Sequence, residues 1–351
     1  MNLDSHDQFS SIDIDDMRSQ IASLPDQLQK AWKLGLTLQL PGMTLVQRVV
    51  ISGMGGSAIG ADLLASFLMD RVTVPIIVQR NYGLPAFAFG KETLVVVSSH
   101  SGNTEEAISA FEEACRSNCQ VMVITTGGKI LADAQSAHVP AWVFVHEGQP
   151  RSALGYTFGL LLALFVRLGL VSDLGSEIEQ TVKLMRELQT KIEIECPVKS
   201  NPAKRLAGQL VGRHITVFGS GFMAPVARRW KCQINECAKT IASFESLPEA
   251  DHNTLAGICF PQEALDKEMA VFLFASTDGE RNQKRVVETK QIMMLEGINT
   301  DQVDARGQNK LEQLWSTVLF GDYVAYYLAM AYEVDPTAID PIWALKEALS
   351  K

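Results

Sequence analysis

The sequence predicts an α/β protein built from two similar domains. Two observations carry that expectation. Short β-branched runs alternate with amphipathic helical stretches, the pattern of βαβ units around a parallel sheet, and the alternation occurs twice along the chain. The length of 351 residues agrees, because domains run to about 100 to 200 residues each.

In the first half the strands are expected at Arg48–Ser52, Thr73–Gln79, Leu94–Ser99, Val121–Thr125 and Trp142–Val145, with helical patterns between most of them. In the second half, His214–Phe218 and Met269–Ser276 read as the clearest strands, followed by Thr300–Val303. Laid side by side, the halves repeat. VVISGMGGSAIGADLL from Val49 pairs with ITVFGSGFMAPVARRW from Ile215, and VVVSSHSGNTEEAISAF from Val95 pairs with VFLFASTDGERNQKRVV from Val271. Gly175 to Ile194 reads as a long polar helix, and Pro197 and Pro202 mark a break after it. The expected division is therefore a first domain at 1–171 with a leading segment, a helical linker at 172–203, and a second domain at 204–351. Roughly the first 40 residues carry no pattern that assigns them.

Composition narrows the function classes. Hydrophobic residues are 47% and charged residues 20% of the chain, which is globular rather than disordered. With 31 Lys and Arg against 40 Asp and Glu, the net charge of -9 disfavours non-specific attraction to nucleic acid or an anionic membrane. The polar, acidic stretch Met1–Asp16 lacks the basic start and apolar run of a secretion signal, and Leu160–Val166 is too short to span a bilayer. Six scattered cysteines without a C-x-x-C pair read as reduced thiols rather than a zinc or redox motif. A cytoplasmic location is expected.

Two motifs carry chemistry. Gly53-Met54-Gly55-Gly56-Ser57 follows a strand and opens the helix Ala58–Leu68, where glycines admit close approach of a ligand and helix-start amides favour an anion. The same run matches a dinucleotide fingerprint through Ala58. However, the next strand ends Val78-Gln79-Arg80, without the acid that holds an NAD ribose, and only Arg80 keeps an NADP reading open. The second motif, Ser98-Ser99-His100-Ser101-Gly102-Asn103-Thr104, precedes the helix Glu105–Cys115. Plain capping by Asn103 or Thr104 accounts for a polar helix start, but not for four hydroxyl residues together, so a phosphate cradle is the preferred reading. His100 is read as a loop residue rather than a catalyst. No G-x-x-x-x-G-K-[ST] is present, so a P-loop hydrolase is unsupported.

With the duplication, GMGGSAIGAD from Gly53, SSHSGNTEE from Ser98, PRSALGYTFG from Pro150, WKCQINECAKT from Trp230 and LPEADHNTLAG from Leu247 make the chain resemble the bifunctional phosphoglucose/phosphomannose isomerases. That family is a branch of the sugar isomerase (SIS) fold with two flavodoxin-like αβα sandwich domains. The resemblance covers most of the chain and implies aldose–ketose isomerisation of hexose 6-phosphates, without metal or organic cofactor.

Carried over residue by residue, the resemblance places substrate contacts at Gly55, Gly56, Ser57, Ser99, Ser101 and Thr104. His100 stands where such motifs often have an aromatic residue. Arg151 matches the arginine suited to an enediolate's charge; by pattern alone it would be a surface ion-pair residue. Glu236 lies off the expected stripe Trp230, Ile234, Cys237 and Ile241, near Arg229, Gln233 and Thr240. By pattern it is a solvated helical glutamate, whereas the resemblance makes it the catalytic base. His252, by pattern an ordinary loop histidine, would assist ring opening from the neighbouring subunit of a homodimer. Lys346, after Asp335-Pro336-Thr337, would contribute near the ring oxygen.

An isomerase specific for glucose 6-phosphate only is one alternative, and three further rivals are distinguishable. A non-catalytic sugar phosphate sensor would keep the Ser99–Thr104 loop but lose Glu236, His252 and Arg151. An NADP dehydrogenase would bind dinucleotide tightly. Glucosamine 6-phosphate chemistry usually accompanies an amide-hydrolysing domain whose N-terminal cysteine nucleophile has no counterpart here.

Overall fold

The computed structural model describes residues 2–40, 42–43 and 45–349. In chain order the helices are α1 (Met17–Ala22), α2 (Leu24–Thr37), α3 (Gly55–Leu68), α4 (Glu105–Arg116), α5 (Gly128–Ser136), α6 (Leu154–Arg167), α7 (Gly175–Ile192), α8 (Pro202–Leu210), α9 (Ala224–Ala238), α10 (Gln262–Leu265), α11 (Glu280–Leu295), α12 (Lys310–Tyr332) and α13 (Asp340–Leu349). The strands are β1 (Arg48–Ser52), β2 (Ile76–Gln79), β3 (Thr93–Ser99), β4 (Gln120–Thr125), β5 (Ala141–Val143), β6 (His214–Ser220), β7 (Ala242–Leu247), β8 (Glu268–Phe274) and β9 (Asn299–Asp304). The chain forms two compact units, Ser23–Lys183 and Met1–Ala22 with Leu184–Lys351.

The first unit holds a parallel sheet in the order β2-β1-β3-β4-β5, the flavodoxin-like doubly wound order. Every residue of β3 is buried, which explains the unbroken apolar run Leu94–Val97 at its centre: helices cover both faces of a parallel strand. β2 begins at Ile76, not Thr73, because Pro75 has no N–H to give a ladder and contributes only its carbonyl, which accepts from Val49 N at 2.9 Å. The unassigned leading segment supplies α2, which packs on α6. A Cβ added at Gly155 would lie 2.6 Å from Gln27 Cβ, and one at Gly159 2.7 Å from Ala31 Cβ, so these glycines permit the close helix contact. The apolar run is therefore buried within α6 from Leu160 to Phe165, with Val166 half-buried.

The second unit repeats the scheme with a parallel sheet ordered β7-β6-β8-β9, four strands against five. Its centre is α12, buried along nearly its whole length and started by a capping box, in which Glu312 N donates to Asn309 Oδ1 at 2.9 Å and Asn309 N to Glu312 Oε2 at 3.3 Å. α8 starts on Asn201, whose Oδ1 accepts from Ala203 N and Lys204 N, with Pro202 in its first turn. Residues 1–22 pack here rather than with the first sheet, as the expected division has them: Met17 and Ile21 are buried, and Phe9 meets Tyr326 of α12 edge-on at 6.2 Å. A helix apolar on all sides needs cover all round, and the leading segment provides part of it.

Two further differences from the sequence reading concern β7 and α9. β7 has no sequence expectation, since ASFESL is short and polar at its centre. α9 stops at Ala238 because Lys239 takes a left-handed conformation at φ 55°, so Ile241 leaves the stripe and is 71% exposed. Among the described residues no helix is long and apolar enough to cross a membrane, and no two cysteines form a disulfide.

Candidate active site

In the first unit the chain reverses direction about β1, with β2 on one side and β3 on the other. The carboxyl ends of β1 and β3 thus flank a topological switch point, where open α/β sheets bind ligands. Both sequence motifs lie there. Gly53 sits so close to β3 that an added Cβ would be 2.7 Å from Ser98 O. Gly55 has φ +50°, and a Cβ at Gly56 would be 2.6 Å from Pro150 O and 3.2 Å from Arg151 Cα. Gly55, Gly56, Ser57, Ser99, Ser101, Thr104 and the segment of Arg151 are therefore brought to one end of one sheet.

The hydroxyls are organised within the loop. Ser99 Oγ donates to Thr104 Oγ1 at 3.1 Å and accepts from Gly102 N at 3.1 Å, and Ser101 Oγ accepts from Asn103 N at 3.3 Å. Thr104 stands at the N-cap of α4 with no side-chain bond to the helix, and no side chain caps α3. Two helix starts thus lie beside the hydroxyl cluster, the arrangement that binds an anion through backbone amides. Arg151 is 4% exposed, and its guanidinium donates to Gln149 Oε1 at 3.3 Å. It is thus a buried cation rather than a surface ion-pair residue.

Sequence reasoning missed the residues that brace this loop. Gly102, at φ +68°, is pressed against Gly127 and Gly128, so an added Cβ would fall 1.8 Å from Gly127 O. Ile130 N donates to Gly102 O at 2.9 Å, Thr126 Oγ1 to His100 O at 2.6 Å and Lys129 N to Asn103 Oδ1 at 2.9 Å. The Gly127-Gly128 pair, one residue beyond the end of β4, was the available signal. His100 lies 3.0 Å, Nε2 to Nδ1, from His146, and both rings join a cluster with Phe144 and Tyr156. Burial, with His146 nearby, pushes the His100 pKa down to about 4, and burial lowers His146 as well. His100 is thus a neutral brace in the loop.

Arg80 is already engaged. Its guanidinium pairs with Asp62 and donates to Ala58 O at 3.1 Å, which removes the cation an NADP 2'-phosphate would need.

Glu236, His252 and Lys346 belong to the second unit, on three different elements. Glu236 is half-buried in the last turn of α9. Its helix is tightly fixed to α12: Arg229 Nε and Nη2 meet Asp322 Oδ1 and Oδ2 at 3.0 and 2.8 Å, and Trp230 Nε1 donates to Thr317 O at 3.0 Å. Arg229 and Gln233 are each 1% exposed, so the helix face expected to be solvated is interior. His252 is exposed and ends the 3-10 turn Glu249–His252. That turn is anchored through Asp251, which accepts from Arg285 Nη1 at 2.6 Å and Thr289 Oγ1 at 2.8 Å. Lys346 lies on the exposed α13, with Nζ 5.1 Å from the Trp343 ring centroid.

The duplicated loop in this unit is built differently. Met223, Ala275 and Glu280 stand where the repeat has Ser57, Ser99 and Thr104. Beside Gly221, which shares the φ +50° of Gly55, the Asp278 carboxylate accepts from Ser220 Oγ at 2.7 Å and Gly279 N at 2.9 Å. A resident carboxylate and the loss of these three hydroxyls leave the first unit as the one with a hydroxyl cluster between two helix starts.

Residues 199–349 match the family model described as the bacterial phospho-glucose isomerase C-terminal SIS domain. The chain is 38% identical over 339 residues to the bifunctional phosphoglucose/phosphomannose isomerase of Caldicellulosiruptor bescii, covering 95% of this chain and 99% of that one. It is 30% identical to the protein of the same name from Thermoplasma volcanium, covering 94% and 98%. Among solved structures, a glucose-6-phosphate isomerase like protein from Thermus thermophilus superposes with a TM-score of 0.65 at 21% identity, covering 97% and 98%, which speaks for the fold.

Proposed function

The chain belongs to the bifunctional phosphoglucose/phosphomannose isomerase family, and from that premise we propose that it interconverts glucose 6-phosphate and mannose 6-phosphate with fructose 6-phosphate through a cis-enediol. The observation that carries the reading is the meeting of the Gly55–Ser57 turn, the Ser99–Thr104 hydroxyl loop and the buried Arg151 at the carboxyl ends of β1 and β3.

The 6-phosphate rests on the hydroxyls of Ser57, Ser99, Ser101 and Thr104 and on nearby backbone amides, held by hydrogen bonds and helix dipoles. His252 moves a proton between the ring oxygen and O1, and Lys346 assists near that oxygen, so that the sugar opens to its aldehyde. Glu236 removes the C2 proton; the C–H electron pair becomes the C1–C2 double bond, and the carbonyl pair moves to O1, which is then protonated. In the second half O2 gives up its proton, the C2 carbonyl forms, and C1 takes the proton back from Glu236. Arg151 stabilises the enediolate charge between these steps.

The enediol is planar at C2, so it retains no memory of the configuration that separates glucose from mannose. Only protons move, and the chemistry needs no redox or metal cofactor. His252 acts from the neighbouring subunit of a homodimer, a role its exposure in the single chain suits. The enzyme works in the cytoplasm, where its cysteines stay as thiols.

The test is fructose 6-phosphate formation from each aldose by the purified protein in the presence of a chelator. Turnover of both is expected. Tight binding without turnover of either would overturn the reading in favour of a sugar phosphate sensor.

A further inference from the structure

The second unit contains a cavity of about 430 Å³ whose lining includes none of Glu236, His252 and Lys346. It lies along β9, an edge strand. In the first sheet the counterpart of β9 is β4, and β4 is covered by β5; the second sheet has no fifth strand. The cavity thus opens where the repeat lacks its last strand, at the edge of the sheet opposite β7, the strand that follows Glu236's helix. Its volume falls within the ~300–1,000 Å³ of small-molecule sites.

Its walls are of two kinds. Leu188, Leu206 and Phe320 are its large apolar lining residues, and Arg205, Gln209 and Arg306 are polar ones. Neither guanidinium forms an ion pair among the described residues, although the chain carries 40 acidic residues and two of them, Asp301 and Asp304, also line the cavity. Those two are engaged along their own strand: Asp301 Oδ1 accepts from Gln302 N, and Asp304 Oδ1 from Gln302 Nε2, both at 2.7 Å. Two unmatched arginines beside an apolar wall are suited to an oxyanion attached to a flat carbon skeleton, because the guanidinium fork pairs with phosphate oxygens bidentately and remains charged at every working pH.

We propose that this cavity is a second ligand site, distinct from the hydroxyl loop of the first unit, and that it takes an organic phosphate bearing a flat apolar group. The phosphate meets Arg205 and Arg306, and the ring lies against Leu206 and Phe320. The site is independent of the isomerase assignment, since it uses none of the residues given a role in that reaction.

Phenyl phosphate is the probe, titrated calorimetrically into three proteins: the native chain, R205A/R306A and S99A/S101A. Both arginines are exposed, so their removal leaves the core intact. The expected result is binding to the native protein, at least ten-fold weaker binding to R205A/R306A, and unchanged binding to S99A/S101A in the cavity. Absence of binding to the native protein at millimolar probe, equal affinity in R205A/R306A, or loss of all binding in S99A/S101A would each overturn the proposal.

Discussion

Asp322→Ala tests whether the ion pair between α9 and α12 has the energetic weight its burial implies. Arg229 and Asp322 side chains are each 1% exposed and joined by two hydrogen bonds of 3.0 and 2.8 Å. Removing one partner leaves an uncompensated guanidinium in a medium that solvates it poorly, which typically costs about 3–5 kcal/mol. For a unit of this size each kcal/mol lowers the melting temperature by roughly 2–4 °C, so thermal unfolding followed by circular dichroism should show a fall of roughly 6–20 °C. The control is R229M/D322L, in which both charges leave together. Replacing a whole buried pair with apolar residues of similar volume is often neutral or stabilising, so this variant should melt well above Asp322→Ala. If the two variants melt at the same temperature, the loss comes from packing alone and the argument from the unpaired charge is refuted.

Other expectations follow from the first unit. Ser99→Ala deletes a hydroxyl bonded to both Thr104 Oγ1 and Gly102 N; at about 0.5–1.5 kcal/mol per hydrogen bond, initial-rate kinetics should give a KM several-fold higher with a smaller change in kcat. Gly102→Ala places a methyl 1.8 Å from Gly127 O at a left-handed φ, so it should displace the loop and reduce phosphate affinity more than Ser99→Ala does, as read by titration with fructose 6-phosphate. His100 has a folded-state pKa of about 4 against 6.5 ordinarily, so below pH 6.5 the unfolded chain binds a proton that the native state refuses. Stability from this source is complete above pH 6.5 and is lost as the pH falls toward 4. His100→Phe keeps a ring beside Phe144, and denaturation midpoints measured across that range should fall less steeply than in the native protein.

The sheet strands were legible because a parallel strand covered on both faces carries a continuous apolar run, as in Val49–Ile51 of β1, Leu94–Val97 of β3 and Val121–Ile124 of β4. β7 was not: its polar centre, Phe244-Glu245-Ser246, is half-buried at a sheet edge, and nothing local separates it from a loop. α12 escaped for the opposite reason, since a helix buried on nearly every side shows no amphipathic period to detect. The hydroxyl loop was readable because hydroxyls and glycines at the end of a strand form a local pattern. The bracing of Gly102 by Gly127 and of His100 by His146 was not, because those partners are distant in sequence. Arg229 and Gln233 looked like a wet helix face only because Asp322, which makes that face interior, lies 93 residues beyond Arg229. Glu236 was singled out by resemblance rather than by pattern, which reads it as solvated; it stands half-buried on the helix fixed by that pair.

The most direct test of the account is deuterium exchange at C2 of mannose 6-phosphate and glucose 6-phosphate in heavy water, comparing the native protein with Glu236→Gln. Exchange and fructose 6-phosphate formation from both sugars are expected with the native protein, and loss of both with the variant while substrate still binds. Exchange at the native rate in Glu236→Gln would contradict the assignment of the base, and isomerisation by the native protein without any incorporation of solvent deuterium from either sugar would count against a solvent-exchanging enediol.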